Sequence, residues 1–352
     1  MVNPHGGDLI WAKTKYSGEI LDFSVNCNPL GTPPSVLAAA ADALSRVGQY
    51  PDPACTALRG AIAQRLGCDE AEIFCGNGAA EVIFRLALAI APGEALLTAP
   101  TFSEYEAALT QVGCHCRFHR LLPEESFDLT ARILGDITPD LQAVFLCTPN
   151  NPTGRLISRE LLHAVLQRCE EVGAYLIVDE CFLPLATGEI GLAPLVKDHP
   201  KLVVLRAFTK SYAVPSLRLG YCVADPGLVK KLHRWGGCWN VSGVAQAAGL
   251  ACLQEPDWPA QGRKLLETVR PALCSGLAAL GCTVVPGSAN YLLFRLPGVT
   301  DLKERAAERG ILLRSCGNYR GLGQDYYRVA VRCPEENETL LRVLASCISK
   351  EG

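Results

Sequence analysis

Short apolar runs alternate with helix-periodic segments between about residues 57 and 235. The runs are rich in Val, Leu and Ile, end in polar or turn residues, and predict strands at 94–100, 141–149, 174–180, 201–208 and 217–225. Segments with apolar residues at helical spacing lie at 57–67, 79–90 and 158–173. Because strands that are apolar throughout are buried on both faces, this pattern predicts an α/β fold with a mainly parallel central sheet covered by helices.

The pattern changes after about residue 240. A long helical stretch is predicted at 243–280, followed by the apolar segments CTVVPGSANYLLFRLP, ILLRSCGNY and YYRVAVR, with a helix around 300–309. These elements predict a smaller α+β unit, whereas the first 40 residues are rich in Pro and Gly and cannot form a core alone. We therefore predict three parts: an N-terminal arm over the active site at 1–40, a large domain at 41–240 and a small C-terminal domain at 241–352.

Composition narrows the class of protein. A chain of 352 residues suits two domains, and 49% hydrophobic with 20% charged residues is typical of a globular protein. A net charge of −3 gives no general attraction for nucleic acid or anionic lipid, and no apolar run approaches the roughly 20 residues of a membrane span. The N-terminus MVNPHGGDLIWAK lacks the order of a signal peptide. We expect a cytoplasmic enzyme without nucleic-acid or membrane partners.

The chain contains 17 cysteines, which is unusual. A disulfide framework is typical of small secreted domains, and this chain is not small. No C-x-x-C pair occurs, and the closest spacing is Cys114-His115-Cys116 inside an apparent strand, so the ligand spacing of a zinc or iron–sulfur site is missing. We expect mostly reduced, buried thiols that pack as small apolar groups, and no metal.

Polar residues follow or open four of the predicted strands. They are Asn151 in the segment TPNNPTG, Asp179, Lys210 and Arg218. Each alone has an ordinary structural explanation: a turn, a helix cap, or a cation that reaches water. Because ligands of such sheets bind beyond the carboxyl ends of the strands, the four together predict a single site.

This combination of side chains suits pyridoxal 5′-phosphate. A lysine must be uncharged to form an imine with the cofactor aldehyde, which a partly desolvated position favours. A carboxylate beside the pyridine nitrogen keeps that nitrogen protonated, so that the ring accepts electrons. An amide can hold the ring hydroxyl, and an arginine can hold the phosphate. We therefore interpret Lys210 as the residue that binds the aldehyde.

From end to end, the chain resembles the pyridoxal-phosphate enzymes of aminotransferase fold type I. The resemblance implies that Lys210 forms the imine, Asp179 contacts the pyridine nitrogen and Asn151 contacts the ring hydroxyl. Further cofactor contacts that it implies are Arg218 and Thr209 on the phosphate; Gly78, Ala79 and Ala80 of FCGNGAAEVIF at a helix N-terminus; Phe102 of APTFSEY on the ring; and Tyr50 of QYPDP on the phosphate of a neighbouring subunit's cofactor. The Tyr50 match implies a homodimer with shared active sites.

Within this fold, the chain resembles the histidinol-phosphate aminotransferases and, more closely, the threonine-phosphate decarboxylases of cobalamin biosynthesis. The motifs are HGGD followed by LDFSVNCNPLGTP, then FTKSYAVPSLRLGY and ILLRSCGNYRGLGQDYYRVAVR. The resemblance implies that the substrate is held by Asn151 together with His5, Gly6, Asn26, Arg314 and Arg328. A phosphorylated amino acid carries a carboxylate and a phosphate, and each suits one guanidinium group. The implied reaction is decarboxylation of O-phospho-L-threonine, or of O-phospho-L-serine, to a phosphorylated amino alcohol for the cobalamin nucleotide loop.

Three positions depart from the family pattern. Phe182 replaces a tyrosine that many relatives place near the ring oxygen, and Ala80 and Ala207 stand where a hydroxyl often contacts the cofactor phosphate. Their effect on cofactor affinity is open at this stage.

Two alternative functions also remain open. One is an aminotransferase that acts on histidinol phosphate or another phosphorylated amino acid. The other is a regulatory module that binds the cofactor without turnover, although the sequence offers no spare segment or basic patch for DNA binding. A preference between threonine phosphate and serine phosphate does not follow from the sequence, because one methyl group is worth only about 1 kcal/mol.

Overall fold

A computed structural model describes residues 5–188 and 191–348 of the protein. In chain order, the α-helices of this part are α1 (Leu9–Lys13), α2 (Pro34–Ala43), α3 (Thr56–Leu66), α4 (Gly78–Ile90), α5 (Glu104–Gln111), α6 (Ile133–Asp136), α7 (Arg159–Val172), α8 (Leu183–Ala186), α9 (Phe208–Ser211), α10 (Pro226–Arg234), α11 (Gly243–Leu253), α12 (Trp258–Ala279), α13 (Leu302–Ala307) and α14 (Pro334–Ile348). Short 3-10 helices occupy Leu44–Arg46, Glu70–Glu72, Pro123–Glu125, Ala193–Asp198 and Pro215–Leu217.

The β-strands fall into three sheets. In chain order they are β1 (Leu21–Asp22), β2 (Ile73–Asn77), β3 (Glu94–Ala99), β4 (His115–Arg120), β5 (Ala143–Cys147), β6 (Tyr175–Asp179), β7 (Leu202–Ala207), β8 (Leu219–Val223), β9 (Thr283–Val284), β10 (Tyr291–Arg295), β11 (Ile311–Leu312), β12 (Arg314–Ser315) and β13 (Tyr326–Ala330).

The largest sheet has the order β2-β8-β7-β6-β5-β3-β4. The strands from β4 to β7 run parallel, and β8 runs antiparallel to both of its neighbours, β7 and β2. The predicted mainly parallel sheet is therefore confirmed. Because β8 is reversed, its first residues lie at the edge where β5, β6 and β7 end. This reversal places Arg218 near Lys210.

Both faces of this sheet are covered by apolar side chains. Along β6, Leu176 and Val178 belong to the cluster on one face, and Ile177 belongs to the cluster on the other. Helices α3, α7 and α11 supply residues to the first cluster, and α4, α5 and α10 supply residues to the second. This two-sided burial explains why the strands are apolar throughout.

A smaller antiparallel sheet has the order β12-β13-β10-β9 and packs on helices of the C-terminal third. Its core includes Leu273 of α12 and Leu340 of α14. The long helical stretch predicted at 243–280 consists of two helices, α11 and α12. Pro256 lies between them, and the residue before a proline is disfavoured in the α conformation.

The N-terminal segment connects the small sheet with the edge of the large one. Strand β1 pairs in parallel with β11, and the Phe23 carbonyl accepts a hydrogen bond from the Ala330 amide at 2.7 Å. The Asn28 amide then donates to the Lys210 carbonyl at 2.9 Å. The division into an arm and two domains stays a prediction, and its outermost residues, 1–4 and 349–352, lie outside the described residues.

Most of the cysteines contribute to the core. Eleven of the 17 are buried, and Cys238 is exposed. In the described part of the chain, no three His, Cys, Asp or Glu side chains are grouped so that they could hold a metal ion. None of the described helices is both long enough and apolar enough to cross a membrane.

Candidate active site

Asp179, the last residue of β6, is a buried carboxylate at the edge of the large sheet. Its Oδ2 accepts a hydrogen bond from the Tyr105 hydroxyl at 2.7 Å, and its Oδ1 accepts one from the Cys181 amide at 2.9 Å. No Lys, Arg or His of the described residues pairs with this carboxylate at ion-pair distance. Glu180, the next residue, has a structural role instead, because it pairs with Arg206 at 2.6 Å. Asp179 is therefore free to receive a cationic group from a ligand.

Lys210 lies in the short helix α9, directly after β7. Its Nζ is 5.6 Å from the centre of the Phe182 ring. Burial lowers the pKa of Lys210, and the positive charges of Arg328 and Arg218 lower it further, while the Cys27 and Cys181 thiols act in the opposite direction. The site therefore favours the neutral amine, which is the form that reacts with an aldehyde.

Asn151 connects the edge of the large sheet with the small sheet. The residue is buried after β5. Its Oδ1 accepts a hydrogen bond from Nη1 of Arg328 and a longer one, at 3.4 Å, from the Tyr319 hydroxyl. The amide oxygen is thus held by two donors of the C-terminal third, and these contacts fix the orientation of the amide.

Arg218 lies against the N-terminus of α4. A Cβ at Gly78, the first residue of that helix, would lie 2.4 Å from Nη2 of Arg218, so only glycine permits this approach. A side chain is also excluded at Gly220, because a Cβ there would lie 2.4 Å from the Ala79 amide nitrogen. A guanidinium group beside the free amides of a helix start is a binding site for a phosphate.

Phe102 and His5 form one wall of the site. The two rings are 5.8 Å apart, and the Phe102 ring packs edge to face on Tyr105 at 5.6 Å. His5 Nε2 also lies 2.8 Å from Oε1 of Glu104, a contact that sequence analysis did not predict. His5 of the N-terminal segment therefore lies next to Phe102 and Glu104.

Gly6 and Arg328 both approach the backbone carbonyl of Ser24, two residues before Asn26. A Cβ at Gly6 would lie 2.3 Å from the Ser24 carbonyl oxygen, and that oxygen also accepts a hydrogen bond from Nη2 of Arg328 at 2.9 Å. Oδ1 of Asn26 and Nε of Arg328 are buried and have no hydrogen-bond partner among the described residues. Because buried polar groups without partners cost free energy, these atoms are suited to contact a polar ligand.

Arg314 and Arg328 stand directly opposite each other on β12 and β13. Both are largely buried, at 8% and 6% exposure. Arg314 donates to Oδ1 of Asn318 at 2.7 Å, and its guanidinium carbon lies 5.4 Å from the centre of the Tyr319 ring. Two buried guanidinium groups side by side repel each other, so this pair favours a ligand with two anionic groups.

The structure places some of the remaining predicted cofactor contacts near Lys210 and α4, and others elsewhere. Thr209 is buried next to Lys210, and Ala80 lies in the first turn of α4. Phe182 packs on Tyr291 with 4.9 Å between the ring centres, so the position of the missing phenol is filled by an apolar contact. Tyr50 is not brought into the site of its own chain: it is 81% exposed and stacks on Trp239 at 4.6 Å. Its role in a neighbouring subunit stays a prediction.

Sequence analysis missed Tyr105 and Tyr319. Tyr105 lies within the quoted motif APTFSEY, and Tyr319 lies within ILLRSCGNYRGLGQ, but only other residues of these motifs were singled out. Both tyrosines are buried polar side chains that contact a predicted site residue. The signal in the sequence was that each tyrosine lies within a motif that also contains a predicted site residue.

The residues that are present fit pyridoxal phosphate. Asp179 can accept from a protonated pyridine nitrogen, and Lys210 favours the neutral amine. The N-terminus of α4 and Arg218 together can bind a phosphate. The Phe102 ring packs on Tyr105, the residue that contacts Asp179, and so offers an aromatic face near this carboxylate. The two arginines of the small sheet are then left for a substrate.

Comparisons with known proteins agree with this geometry. The family described as aminotransferase class I and II matches residues 18–344. The chain is 41% identical over 351 residues to the threonine-phosphate decarboxylase of Salmonella typhimurium, which covers 98% of this chain and 96% of the relative.

Two solved structures are also similar. The histidinol-phosphate aminotransferase from Clostridium acetobutylicum matches with a TM-score of 0.87 and 28% identity, over 94% of this chain and 100% of that one. The L-threonine-O-3-phosphate decarboxylase from Porphyromonas gingivalis matches with a TM-score of 0.84 and 25% identity, over 93% and 99%.

Proposed function

The chain belongs to the class I and II aminotransferase family, and we propose that within this family it is a pyridoxal-phosphate-dependent decarboxylase of O-phospho-L-threonine. The 41% identity to the Salmonella decarboxylase, over nearly the whole of both chains, supports this reaction. The alternative, a histidinol-phosphate-type aminotransferase, rests on relatives such as the histidinol-phosphate aminotransferase of Anaeromyxobacter sp., which is 36% identical over 92% of this chain. The higher identity favours the decarboxylase.

One structural observation carries the proposal: Arg314 and Arg328 are buried and stand opposite each other on neighbouring strands. O-phospho-L-threonine has two anionic groups, a carboxylate and a phosphate, and histidinol phosphate has only the phosphate. A second buried guanidinium group with an unpartnered Nε therefore favours a substrate that carries a carboxylate.

We propose Asp179, Lys210, Asn151 and Arg218 as the residues that hold the cofactor, together with Thr209, Phe102 and the first turn of α4. When bound, pyridoxal phosphate supplies an aldehyde for covalent attachment of amines and a ring that withdraws electrons from Cα. Asp179 is kept in place by Tyr105 and the Cys181 amide, so its carboxylate can hold a proton-bearing nitrogen without reorganisation.

The substrate contacts would determine which bond at Cα breaks. Arg328 and Asn26 would hold the carboxylate, and His5, Gly6 and Arg314 would hold the phosphate. The position of the carboxylate decides whether CO2 or a proton leaves Cα. Lys210, with its lowered pKa, is the group we propose to return a proton to Cα after CO2 has left.

The quaternary structure and the cellular context are further parts of the proposal. We propose a homodimer in which Tyr50, exposed and stacked on Trp239, contacts the cofactor phosphate of the partner subunit. We also propose a cytoplasmic location and a product used for the cobalamin nucleotide loop. The molar mass in solution, measured by light scattering for wild type and Tyr50→Ala, tests the dimer.

The decisive experiment measures CO2 release and keto-acid formation on the same substrates. We expect CO2 from O-phospho-L-threonine, with O-phospho-L-serine separated from it by only about tenfold, because the two differ by one methyl group. Keto acid in place of CO2, when an amino-group acceptor is supplied, would establish the aminotransferase. An absorbance band near ~420 nm that the amino acid perturbs would report the cofactor independently of turnover.

A further inference from the structure

Tyr319 lies in the loop after β12, and its backbone is held in place. The Tyr319 amide donates to the Cys316 carbonyl at 3.0 Å, and the Leu322 amide donates to the Tyr319 carbonyl at 3.1 Å. The side chain is buried, at 8% exposure. The phenol therefore occupies a defined position.

The Tyr319 hydroxyl lies beside the group that we assign to the substrate carboxylate. It is 3.4 Å from Oδ1 of Asn151, the same oxygen that accepts from Nη1 of Arg328. A distance of 3.4 Å is long for an O–H···O hydrogen bond, for which about 2.7–2.8 Å is usual. Because Arg328 already holds this acceptor at shorter range, the hydroxyl hydrogen has only a weak acceptor, whereas the hydroxyl oxygen accepts a hydrogen bond from Arg314.

The ring of Tyr319 lies close to the guanidinium group of Arg314. One face lies 5.4 Å from the guanidinium carbon of Arg314. The side chain also lines a cavity of about 260 Å³ together with Phe102 and Thr101. Tyr319 thus contacts the proposed phosphate anchor, Arg314, and shares the Asn151 oxygen with the proposed carboxylate anchor, Arg328.

We propose that Tyr319 is a specificity-determining residue that donates its hydroxyl hydrogen to the carboxylate of the substrate beside Arg328. This inference rests on the proposed function, because it assigns the carboxylate of O-phospho-L-threonine to Arg328. A carboxylate held by Arg328 can approach this donor, because the Tyr319 hydroxyl shares the Asn151 acceptor with Nη1 of the same guanidinium group. The hydroxyl then exchanges a weak acceptor for a charged one.

The protonation state of the phenol supports a donor role. Burial raises the pKa of Tyr319, and the nearby Arg328 and Arg314 lower it less. The side chain therefore remains a neutral O–H group at physiological pH. A neutral donor adds a hydrogen bond beside Arg328 without adding a third positive charge to the arginine pair.

This arrangement helps to distinguish the two anionic ends of the substrate. Either guanidinium group alone could bind a carboxylate or a phosphate. Because the hydroxyl hydrogen is directed to Asn151 on the Arg328 side, whereas Arg314 donates to the hydroxyl oxygen and lies near the ring, the two anchors differ in their additional contacts. Loss of the hydroxyl should therefore weaken ligands that carry a carboxylate, and only those.

The test compares two ligands on the holoenzyme of wild type and Tyr319→Phe. O-phospho-L-threonine carries a carboxylate and a phosphate, whereas O-phosphoethanolamine lacks the carboxylate; both are titrated against the cofactor absorbance by stopped flow, so that binding of O-phospho-L-threonine is read before CO2 is released. We expect Tyr319→Phe to raise the Kd for O-phospho-L-threonine by about 10- to 100-fold, as for a lost hydrogen bond to a charged group, and to leave the Kd for O-phosphoethanolamine within about twofold.

Tyr326→Phe is the matched control. It removes a hydroxyl from a neighbouring buried tyrosine, whose ring packs on Phe127, and should change neither Kd. An equal loss for both ligands in Tyr319→Phe, or no loss for O-phospho-L-threonine, would overturn the role of Tyr319 while the proposed function stands. If wild type does not respond to O-phospho-L-threonine at all, the proposed function fails, and this inference fails with it.

Discussion

The two ends of the candidate active site are built from different parts of the chain. At the cofactor end, Asp179, Lys210 and Arg218 directly follow or precede neighbouring strands of one sheet. The substrate end combines the N-terminal segment, with His5 and Asn26, and the small sheet, with Arg314 and Arg328. Backbone pairing joins these distant segments, as in the 2.7 Å hydrogen bond from the Ala330 amide to the Phe23 carbonyl.

This difference has a consequence for function. Side chains at the edge of a packed sheet are positioned by the backbone ladder, which is the most rigid part of the fold, and they suit chemistry that a whole family shares. Side chains contributed by an arm and a second sheet depend on how these parts pack. They can differ between relatives while the cofactor end stays the same. We therefore expect changes at the cofactor end to affect all substrates, and changes at the substrate end to affect them selectively.

Lys210→Ala should have the largest effect. Without the amine, turnover of every substrate should be lost, while the fold remains intact because α9 is capped by backbone contacts. CO2 release and circular dichroism test this outcome. Lys201→Ala, which removes a lysine of the same β7 region that contacts a backbone carbonyl, should retain activity. Peptide mapping after borohydride reduction that finds the cofactor on any lysine but Lys210 would contradict the assignment.

Asp179→Asn should lower kcat by several orders of magnitude for all substrates and still permit some cofactor to bind. An uncharged partner no longer stabilises a protonated pyridine nitrogen, so the ring withdraws electrons less strongly. The measurement is kcat on protein whose cofactor content has been determined by absorbance. A fully loaded variant with a rate near that of wild type would show that Asp179 has another role.

Arg314→Ala should separate the two ends of the site. The loss of a buried charged contact costs about 2–5 kcal/mol, so kcat/KM for O-phospho-L-threonine should fall by roughly 30- to several-thousand-fold. We expect only a low rate with L-threonine, because that molecule has no phosphate, and this rate should not change in the variant. Arg295→Ala, which removes an exposed arginine of the same small sheet, serves as the control. An equal loss with both substrates would place Arg314 outside the phosphate contacts.

Tyr105→Phe should have a smaller effect that again appears at the cofactor end. The variant removes the 2.7 Å hydrogen bond to Asp179 and keeps the aromatic packing on Phe102. A hydrogen bond to a charged group is worth about 1.5–3 kcal/mol, so kcat should fall by roughly 10- to 100-fold, with KM nearly unchanged. A change confined to KM would assign Tyr105 to the substrate instead.

The smallest effect is expected on the stability of the cofactor-free protein. Because burial lowers the pKa of Lys210 in the folded state, the unfolded chain binds more protons between that pKa and the ordinary lysine value of about 10.5. The cost of the buried charge is therefore present below the lowered pKa and disappears as the pH rises towards 10.5. Lys210→Met should raise the Tm by roughly 2 °C at pH 7 and less at pH 10. If Lys210→Met raises the Tm equally at pH 7 and pH 10, the protonated Lys210 side chain does not destabilise the folded protein.

The sequence by itself determined the central sheet and the cofactor end. Strands β3, β5, β6, β7 and β8, their alternation with helices, and the positions of Asn151, Asp179, Lys210 and Arg218 could be predicted, because each of these side chains is adjacent to a strand; β2 was not predicted. Strand adjacency is a local property that hydrophobic periodicity records. The reversed direction of β8, which brings Arg218 to the same edge, followed only from the pairing of the strands.

The tertiary structure alone decided the contacts between distant loops. Tyr105 and Asp179 are 74 positions apart, and Tyr319 and Asn151 are 168 apart, so no local pattern connects them. The helical stretch predicted at 243–280 is also divided into α11 and α12, although the sequence shows Pro256 at the point of division. Hydrophobic periodicity specifies which face of a strand or helix is buried, but the partner of a buried hydroxyl depends on how the loops pack after the sheets have formed. The residues that hold Asp179 and flank Arg328 were therefore accessible only from the folded chain.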